Sequence, residues 1–175
     1  LSVDTRTPLM SCSSLRYAAG IRDLHDETGA VVSCQAFGPT PIMDDYPALF
    51  WYGFHSAEIL FSFMVPCCVR ARCVTYRDMD VAIGEWEDGR VGLIQGMHSK
   101  EADFGCVVHR QKDTQIGLAK ETPSWFCLLL RRVLQFFDTR VSPIDRRETF
   151  EIVSFLEGAT WSRERAGVPA NLERL

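Results

Sequence analysis

The sequence lacks the short motifs that identify most nucleotide-binding and catalytic folds. No two of its 12 glycines are separated by a single residue, so a Gly-x-Gly-x-x-Gly loop is absent, and so is a phosphate-binding P-loop. Such loops let bare backbone amides approach phosphate at a helix N-terminus, which only glycine permits. The sequence therefore predicts no cofactor-binding residues in this chain. A Gly-x-Ser-x-Gly elbow and a His-Glu-x-x-His zinc helix are also missing.

A surplus of positive charge and long apolar runs are absent as well. The 19 Lys and Arg against 23 Asp and Glu give a net charge of −4, which argues against nucleic acid as a partner. The longest apolar candidate, 59–69, is interrupted by Ser62 and Pro66 and is shorter than the roughly 20 residues of a membrane span. The first ten residues have no apolar centre, so a signal peptide is not predicted. We expect neither a nucleic-acid nor a membrane partner.

The seven cysteines are odd in number and show no Cys-x-x-Cys spacing, so neither a disulfide framework nor a zinc ribbon is predicted. Most lie within apolar runs, as Cys34 and Cys106 do. We interpret them as reduced core thiols of a cytoplasmic protein. Cys106 and His109 are three residues apart on a predicted strand and point to opposite faces, so no metal site is predicted.

The apolar fraction of 46% and the charged fraction of 24% are typical of a globular protein. Hydrophobic periodicity and turn residues divide the chain into elements, and Asp88-Gly89 is a strong hairpin signal. The order of elements favours an α+β fold, a mostly antiparallel open sheet with helices packed on one face. The predicted helices are 14–27, 51–64, 122–138 and 145–164, and the predicted strands are 30–38, 67–76, 79–86, 90–97, 104–110 and 114–119. The five strands over 67–119 are expected to follow one another as a continuous meander.

Polar and aromatic residues refine these helix predictions. Hydroxyls at 11–14 and at Thr122, before Pro123, are suited to N-caps. Asp145 and Glu148 have the spacing of a capping box. The aromatic residues of the third helix are expected to be core: Trp125, Phe126, Phe136 and Phe137.

One face of the predicted sheet has no helix to cover it. An exposed apolar sheet face often marks a partner surface, so we expect a homo-oligomer formed through this face. The residues predicted to coat it are Val81, Ile83, Val91, Leu93, Val107 and Ile116.

The stretch 50–58 (FWYGFHSAE) holds the most informative side chains. Glycine allows the chain to turn sharply into the helix. Trp51, His55 and Glu58 recur at i, i+4 and i+7, so they share one helical stripe. Imidazole titrates near neutral pH, which makes His55 a candidate proton carrier. On these residues alone, a structural histidine–glutamate pair is the simpler interpretation.

Four motifs in register change this interpretation. They are 13–18 (SSLRYA), 53–58 (GFHSAE), 88–92 (DGRVG) and 143–152 (PIDRRETFEI). Together they resemble the C-terminal domain of the glucose–fructose oxidoreductase / inositol dehydrogenase (Gfo/Idh/MocA) family, over about 11–165. The resemblance implies an NAD(P)-dependent oxidoreductase acting on sugars or polyols, with an N-terminal Rossmann domain that is not in this chain. It predicts that 1–10 is a linker or the end of that domain, and that 11–175 is an α+β substrate-binding and oligomerisation domain.

The resemblance also assigns residues. It implies that His55 is the general acid/base and that Arg16 lies near the substrate side of the cleft. Many family members carry an aspartate four residues before the histidine, where this chain has Trp51; an aromatic ring there cannot relay a proton but can stack on a sugar face. The remaining predicted substrate-binding residues are Tyr46, Tyr52 and Glu58, with Asp44 and Asp45 as weaker candidates.

Two functional hypotheses follow from the resemblance. The first is the substrate-binding and oligomerisation domain of an oxidoreductase that uses NAD or NADP in the full-length protein. The alternative, suggested by Trp51, is a catalytically inactive ligand-binding or assembly module of the same fold. An unrelated α+β domain whose motifs coincide by chance is a third, simpler possibility.

Overall fold

A seven-stranded sheet organises the chain in a computed structural model that describes residues 7–26, 29–43, 46, 48–65, 67–122 and 124–173. The strand order is β6-β5-β1-β4-β3-β2-β7. Only the β1–β4 pair in this sheet is parallel, so the mostly antiparallel α+β prediction is confirmed. The strands are β1 (Val31–Pro39), β2 (Cys68–Thr75), β3 (Met79–Trp86), β4 (Val91–Met97), β5 (Gly105–Arg110), β6 (Thr114–Leu118) and β7 (Ala170–Asn171).

Four α-helices accompany the sheet in the described residues: α1 (Ala19–Arg22), α2 (Gly53–Met64), α3 (Trp125–Thr139) and α4 (Arg146–Arg163). The single helix predicted over 14–27 is wrong. A 3₁₀ turn at Ser14–Tyr17 precedes α1, and another at Asp23–Asp26 follows it. Ala18 interrupts the helix because its ψ of 134° is extended. None of the described helices is both long enough and apolar enough to cross a membrane.

The strand boundaries agree with the prediction to within one residue, but the predicted continuous meander is wrong. β1 lies between β4 and β5, which a meander would have paired with each other. Hydrophobic periodicity identifies a strand without identifying its neighbours. The buried Cys34 and Ala36 suit β1 to the centre of the sheet. The hairpin predicted at Asp88-Gly89 is confirmed: it joins β3 to β4, with Gly89 at φ +85°.

Helices α2 and α4 cover one face of the sheet. α2 packs on β1 and β4, and α4 packs on β2. Phe61 of α2 joins the two helices to the sheet, because its ring lies 5.4 Å from that of Trp86 and 5.7 Å from that of Phe155. Trp86 is buried, and its indole N–H donates to the Val65 carbonyl at 2.8 Å. This side is the core of the domain.

The opposite face of the sheet carries the six apolar residues predicted to coat it. The register pairs Ile83 with Leu93, and Val107 with Ile116, so these side chains share one face. Their neighbours along the strands, such as Ala82 and Ile94, are buried beneath the helices. The predicted arrangement of this face is therefore confirmed.

Helix α3 differs from its prediction in both start and burial. It begins at Trp125 after Ser124, whereas Thr122 was the predicted cap; Pro123 lies outside the described residues. The structure describes all of α3, and no residue in it is buried. Phe126 is 60% exposed and Phe137 is 70% exposed, so the core prediction is wrong for them. The helical pattern identified an apolar face, but α3 packs mainly on the 3₁₀ turn at 14–17 rather than on the sheet.

All seven cysteines lie in the described part of the chain, and all are free thiols. Cys34, Cys68, Cys73 and Cys106 are buried, as predicted for core thiols. Cys127 is exposed because it belongs to α3, and the prediction fails there.

The crossing of α1 over β6 depends on two glycines. A Cβ atom on Gly20 would lie 2.2 Å from the Leu118 carbonyl oxygen, and one on Gly117 would lie 2.3 Å from the Gly20 carbonyl oxygen. Both obstacles are backbone atoms, which cannot rotate away as a side chain can. The two segments can approach this closely only without side chains.

We expect Gly117→Ala to lower the free energy of unfolding by about 1–3 kcal/mol, because the added methyl group must displace backbone. Urea denaturation measures the change. Lys120→Ala, a substitution at an exposed neighbour, is the control and should stay within about 0.5 kcal/mol of the parent. An unchanged midpoint for Gly117→Ala would show that α1 and β6 are further apart than described.

Candidate functional site

His55 lies in the first turn of α2 and is only partly buried. Gly53 opens this helix, but its φ is not positive. A Cβ atom there would approach Leu49 to 3.0 Å and Thr40 to 3.4 Å. Gly53 therefore serves close packing rather than the sharp turn that the sequence suggested.

The hydrogen-bond partner of His55 is Ser13, not the predicted Glu58. The Ser13 Oγ and His55 Nδ1 atoms are 2.8 Å apart. The same oxygen accepts from the Leu15 amide at 3.1 Å, which confirms that Ser13 caps the turn at 14–17. A hydroxyl both donates and accepts, so Nδ1 keeps this partner in either neutral tautomer and Nε2 is left for other chemistry.

Burial lowers the pKa of His55 below its ordinary value. The ring is therefore largely neutral at pH 7. A neutral imidazole can take a proton from a hydroxyl at one nitrogen while the other nitrogen stays hydrogen-bonded. Ser13 carries no signal for this role in the sequence, because the two residues are 42 positions apart.

An aromatic wall surrounds the imidazole. The Tyr52 and Phe104 rings are nearly parallel, 6.2 Å apart, and each meets His55 edge-on, at 5.8 Å and 5.5 Å between centroids. Trp51 lies 4.3 Å from Tyr46 and 5.8 Å from Tyr52. Three predicted residues therefore form a chain of ring contacts that reaches His55 through Tyr52. Phe104, just before β5, was not predicted, since one apolar residue at the start of a strand carries no functional signal.

Arg16 and Glu58 bind each other one helical turn beyond His55. The Arg16 Nε donates to Glu58 Oε2 at 3.0 Å, and its Nη2 donates to the Glu58 carbonyl at 3.2 Å. The same guanidinium binds the carboxylate of Glu148. Asp145 caps α4 as predicted, by accepting from the Arg147 amide at 2.9 Å, but the carboxylate of Glu148 binds Arg16.

Glu58 is fully buried, and its Oε1 has no hydrogen-bond partner among the described residues. Burial raises the pKa of Glu58 and the nearby Glu148 adds to the rise, while Arg16 opposes it. The guanidinium of Arg16 thus joins the 14–17 turn to both α2 and α4. Substrate binding by Arg16 and Glu58 stays a prediction.

A cavity of about 210 Å³ opens next to the aromatic wall. Such a volume is below that of most drug-sized ligand sites and suits a small molecule. Asp44 and Asp45, two weaker candidates for this region, lie outside the described residues. In the described ranges, no three His, Cys, Asp or Glu side chains are placed to hold a metal ion. The cavity is lined by Pro39, Pro41, Met43, Trp51, Tyr52 and Lys100.

Comparison with known proteins identifies the fold. No family model matches the chain, and no curated protein matches it in sequence. Among solved structures, it is similar to GenD2 from gentamicin A biosynthesis in complex with NAD (15% identity, TM-score 0.74, covering 91% of this chain and 62% of that one). It is also similar to myo-inositol 2-dehydrogenase from Lactobacillus plantarum (11% identity, TM-score 0.76, covering 98% of this chain and 67% of that one). A third similar structure is UDP-N-acetylglucosamine 3-dehydrogenase GnnA from Acidithiobacillus ferrooxidans (14% identity, TM-score 0.74, covering 94% of this chain and 64% of that one).

Two of these structures are named as dehydrogenases, and the likeness confirms the Gfo/Idh/MocA-like fold that the sequence resemblance implied. The chain spans about two thirds of the length of each of these three structures. At 11–15% identity the likeness establishes the fold alone.

We expect the low pKa of His55 to make stability depend on pH. Between the folded pKa and the unfolded value of about 6.5, the unfolded chain binds more protons, so stability falls as pH falls through this range. His55→Gln should lose less stability than the parent between about pH 8 and pH 5.5.

Urea midpoints at the two pH values measure this difference. His109→Gln, which removes an exposed imidazole on β5, serves as the matched control. Equal pH dependence in the parent and in His55→Gln would contradict the assignment of a lowered pKa to His55.

Proposed function

We propose that this chain is the substrate-binding and oligomerisation domain of an NAD(P)-dependent oxidoreductase that acts on a sugar or polyol-like substrate. The observation that carries the proposal is the partly buried His55, whose Nδ1 is bound by Ser13 and whose ring lies in an aromatic wall beside a cavity. The fold supports it, because similar structures include dehydrogenases named for myo-inositol and UDP-N-acetylglucosamine.

In this proposal His55 is the general acid/base. Its imidazole accepts the proton of the substrate hydroxyl as that carbon is oxidised, and returns it in the reverse reaction. Ser13 maintains the hydrogen bond to Nδ1 through both protonation states. Oxidation of the carbon also releases a hydride, which NAD or NADP accepts when bound.

The sequence of this chain offers no recognisable dinucleotide motif. No glycine pair has the spacing of a phosphate-binding loop. We therefore assign substrate binding and proton transfer to 11–175, and treat 1–10 as a linker to a nucleotide-binding domain outside this chain.

Tyr46, Trp51 and Tyr52 supply ring faces on which a sugar or polyol can pack. Arg16 and Glu58 contribute by positioning: their ion pair fixes the turn that carries Ser13 relative to α2. The substrate would lie in the cavity beside Tyr52 and present its hydroxyl to His55.

Trp51 favours a second candidate, a catalytically inactive ligand-binding or assembly module. An indole cannot relay a proton from the position where family members often carry an aspartate. Catalysis in this chain would depend on His55 and Ser13 without that carboxylate. Turnover by the full-length protein distinguishes the two candidates.

We expect His55→Ala, in the polypeptide that joins this chain to its nucleotide-binding domain, to lower kcat by roughly 100- to 10,000-fold. Because the imidazole moves a proton rather than holding the substrate ring, KM should change much less. Steady-state NADH or NADPH formation with a panel of polyols measures both. His109→Ala is the control. Unchanged turnover in His55→Ala would contradict the role of His55 as the acid/base, whereas no turnover by the parent with any polyol would favour the inactive module.

We further propose that the open sheet face forms a homo-oligomer in a reducing, cytoplasmic compartment. The centre of the face, where Ile83 pairs with Leu93, is apolar beside a hydrogen bond of 2.7 Å between Gln35 Nε2 and Gln95 Oε1. Arg72 and the ion pair of Arg70 with Glu85 lie on the same face, toward β2. Ile116 is 69% exposed and Val91 41% exposed, which a partner would cover. The seven free thiols are compatible with reducing conditions.

The double variant Ile83→Lys/Leu93→Lys should sediment as a monomer under conditions where the parent is a dimer or larger, because it places charge in the centre of the face. The control Val168→Lys changes an exposed residue of the C-terminal segment and should keep the parent's oligomeric state. A parent that is monomeric at high concentration contradicts the proposal.

A further inference from the structure

The cavity beside the aromatic wall has one charged residue among its described lining residues, and that residue is Lys100. The loop between β4 and β5 carries both Lys100 and Phe104, whose ring contacts His55. The same loop therefore contributes a cation to the cavity and a wall to the imidazole.

The polar side chains of this lining are donors. Lysine and the tryptophan N–H only donate hydrogen bonds, and the tyrosine hydroxyl donates or accepts. The other lining side chains, Pro39, Pro41 and Met43, offer no N–H or O–H. A group rich in acceptor oxygens fits such a lining better than a neutral polyol, whose hydroxyls also need acceptors.

The cavity adjoins the proposed reaction centre. Tyr52 lines the cavity and also meets His55 edge-on, with 5.8 Å between ring centroids. A substrate with one hydroxyl at His55 would therefore extend past Tyr52 into the cavity. The part of the molecule that occupies the cavity is separated from the reacting carbon by the ring of Tyr52.

We propose that this cavity is a subsite for an anionic group, a carboxylate or a phosphate, carried by the substrate at its end remote from His55. The inference rests on the proposed function and names the class of sugar or polyol: one with a negative charge. Charge-assisted hydrogen bonds from an ammonium are stronger than neutral ones. The chain has a net charge of −4, so an anion needs a local cation to bind here.

Matched probes test the subsite on the chain as it stands. We would titrate glucose, glucuronate and glucose 6-phosphate and follow the Trp51 indole N–H, the Tyr52 amide and the His55 ring by NMR. We expect at least one of the two anions to bind about tenfold more tightly than glucose, the difference typical of one charge-assisted contact. The anion that is preferred shows whether the subsite takes a carboxylate or a phosphate.

Variants assign the preference to the ammonium. Lys100→Gln should abolish the advantage of the anions over glucose, while Lys100→Arg should retain it. Lys112→Gln, an exposed lysine in the β5–β6 turn, should behave as the parent.

Two results would overturn the subsite. If glucose and both anions bind equally, or if Lys100→Gln keeps the preference, the anionic subsite is wrong. The proposed function then stands, provided that the probes still shift the NMR signals of the Tyr52 amide and the His55 ring. If no probe shifts any of the three reporters, both the subsite and substrate binding by this domain are contradicted.

Discussion

The guanidinium of Arg16, placed between two carboxylates, is the interaction on which the candidate site depends. It binds Glu58 of α2 and Glu148 of α4, and so holds the turn at 14–17 in place. That turn carries Ser13, whose hydroxyl binds His55. Loss of the guanidinium would leave the buried carboxyl of Glu58 without its countercharge, which is costly inside a protein. The ion-pair cluster thus sets the geometry of the imidazole without touching it.

The sheet separates two tasks between its faces. One face is covered by α2 and α4 and forms the core, and the first turn of α2 presents His55. The other face carries apolar side chains at its centre, where Ile83 pairs with Leu93, and it is the face of the proposed contact with another copy of the chain.

Much of this arrangement could be predicted from local patterns. The alternation of apolar and polar residues predicted the bounds of β1 to β6, and Asp88-Gly89 predicted a hairpin. The motif at 53–58 predicted that His55 lies at the start of a helix. The aromatic neighbours Trp51 and Tyr52 are close in sequence to His55, so their proximity followed from the chain itself.

What could not be predicted depends on contacts between distant parts of the chain. The central position of β1 and the pairing of His55 with Ser13 are set by packing, which a single sequence does not display. Glu148 illustrates the same limit. Its spacing from Asp145 is correct for a cap, yet its carboxylate binds Arg16, 132 positions away along the chain.

Helix α3 has a further consequence for the dynamics of the domain. It has no buried residue and rests mainly on the 14–17 turn, so it can detach while the sheet and its two covering helices remain intact. The free energy of such local opening is smaller than that of global unfolding. Amide protons of α3 would therefore exchange with solvent ahead of those in β1 and β4, and any surface that settles on Phe126 and Phe137 would slow that exchange.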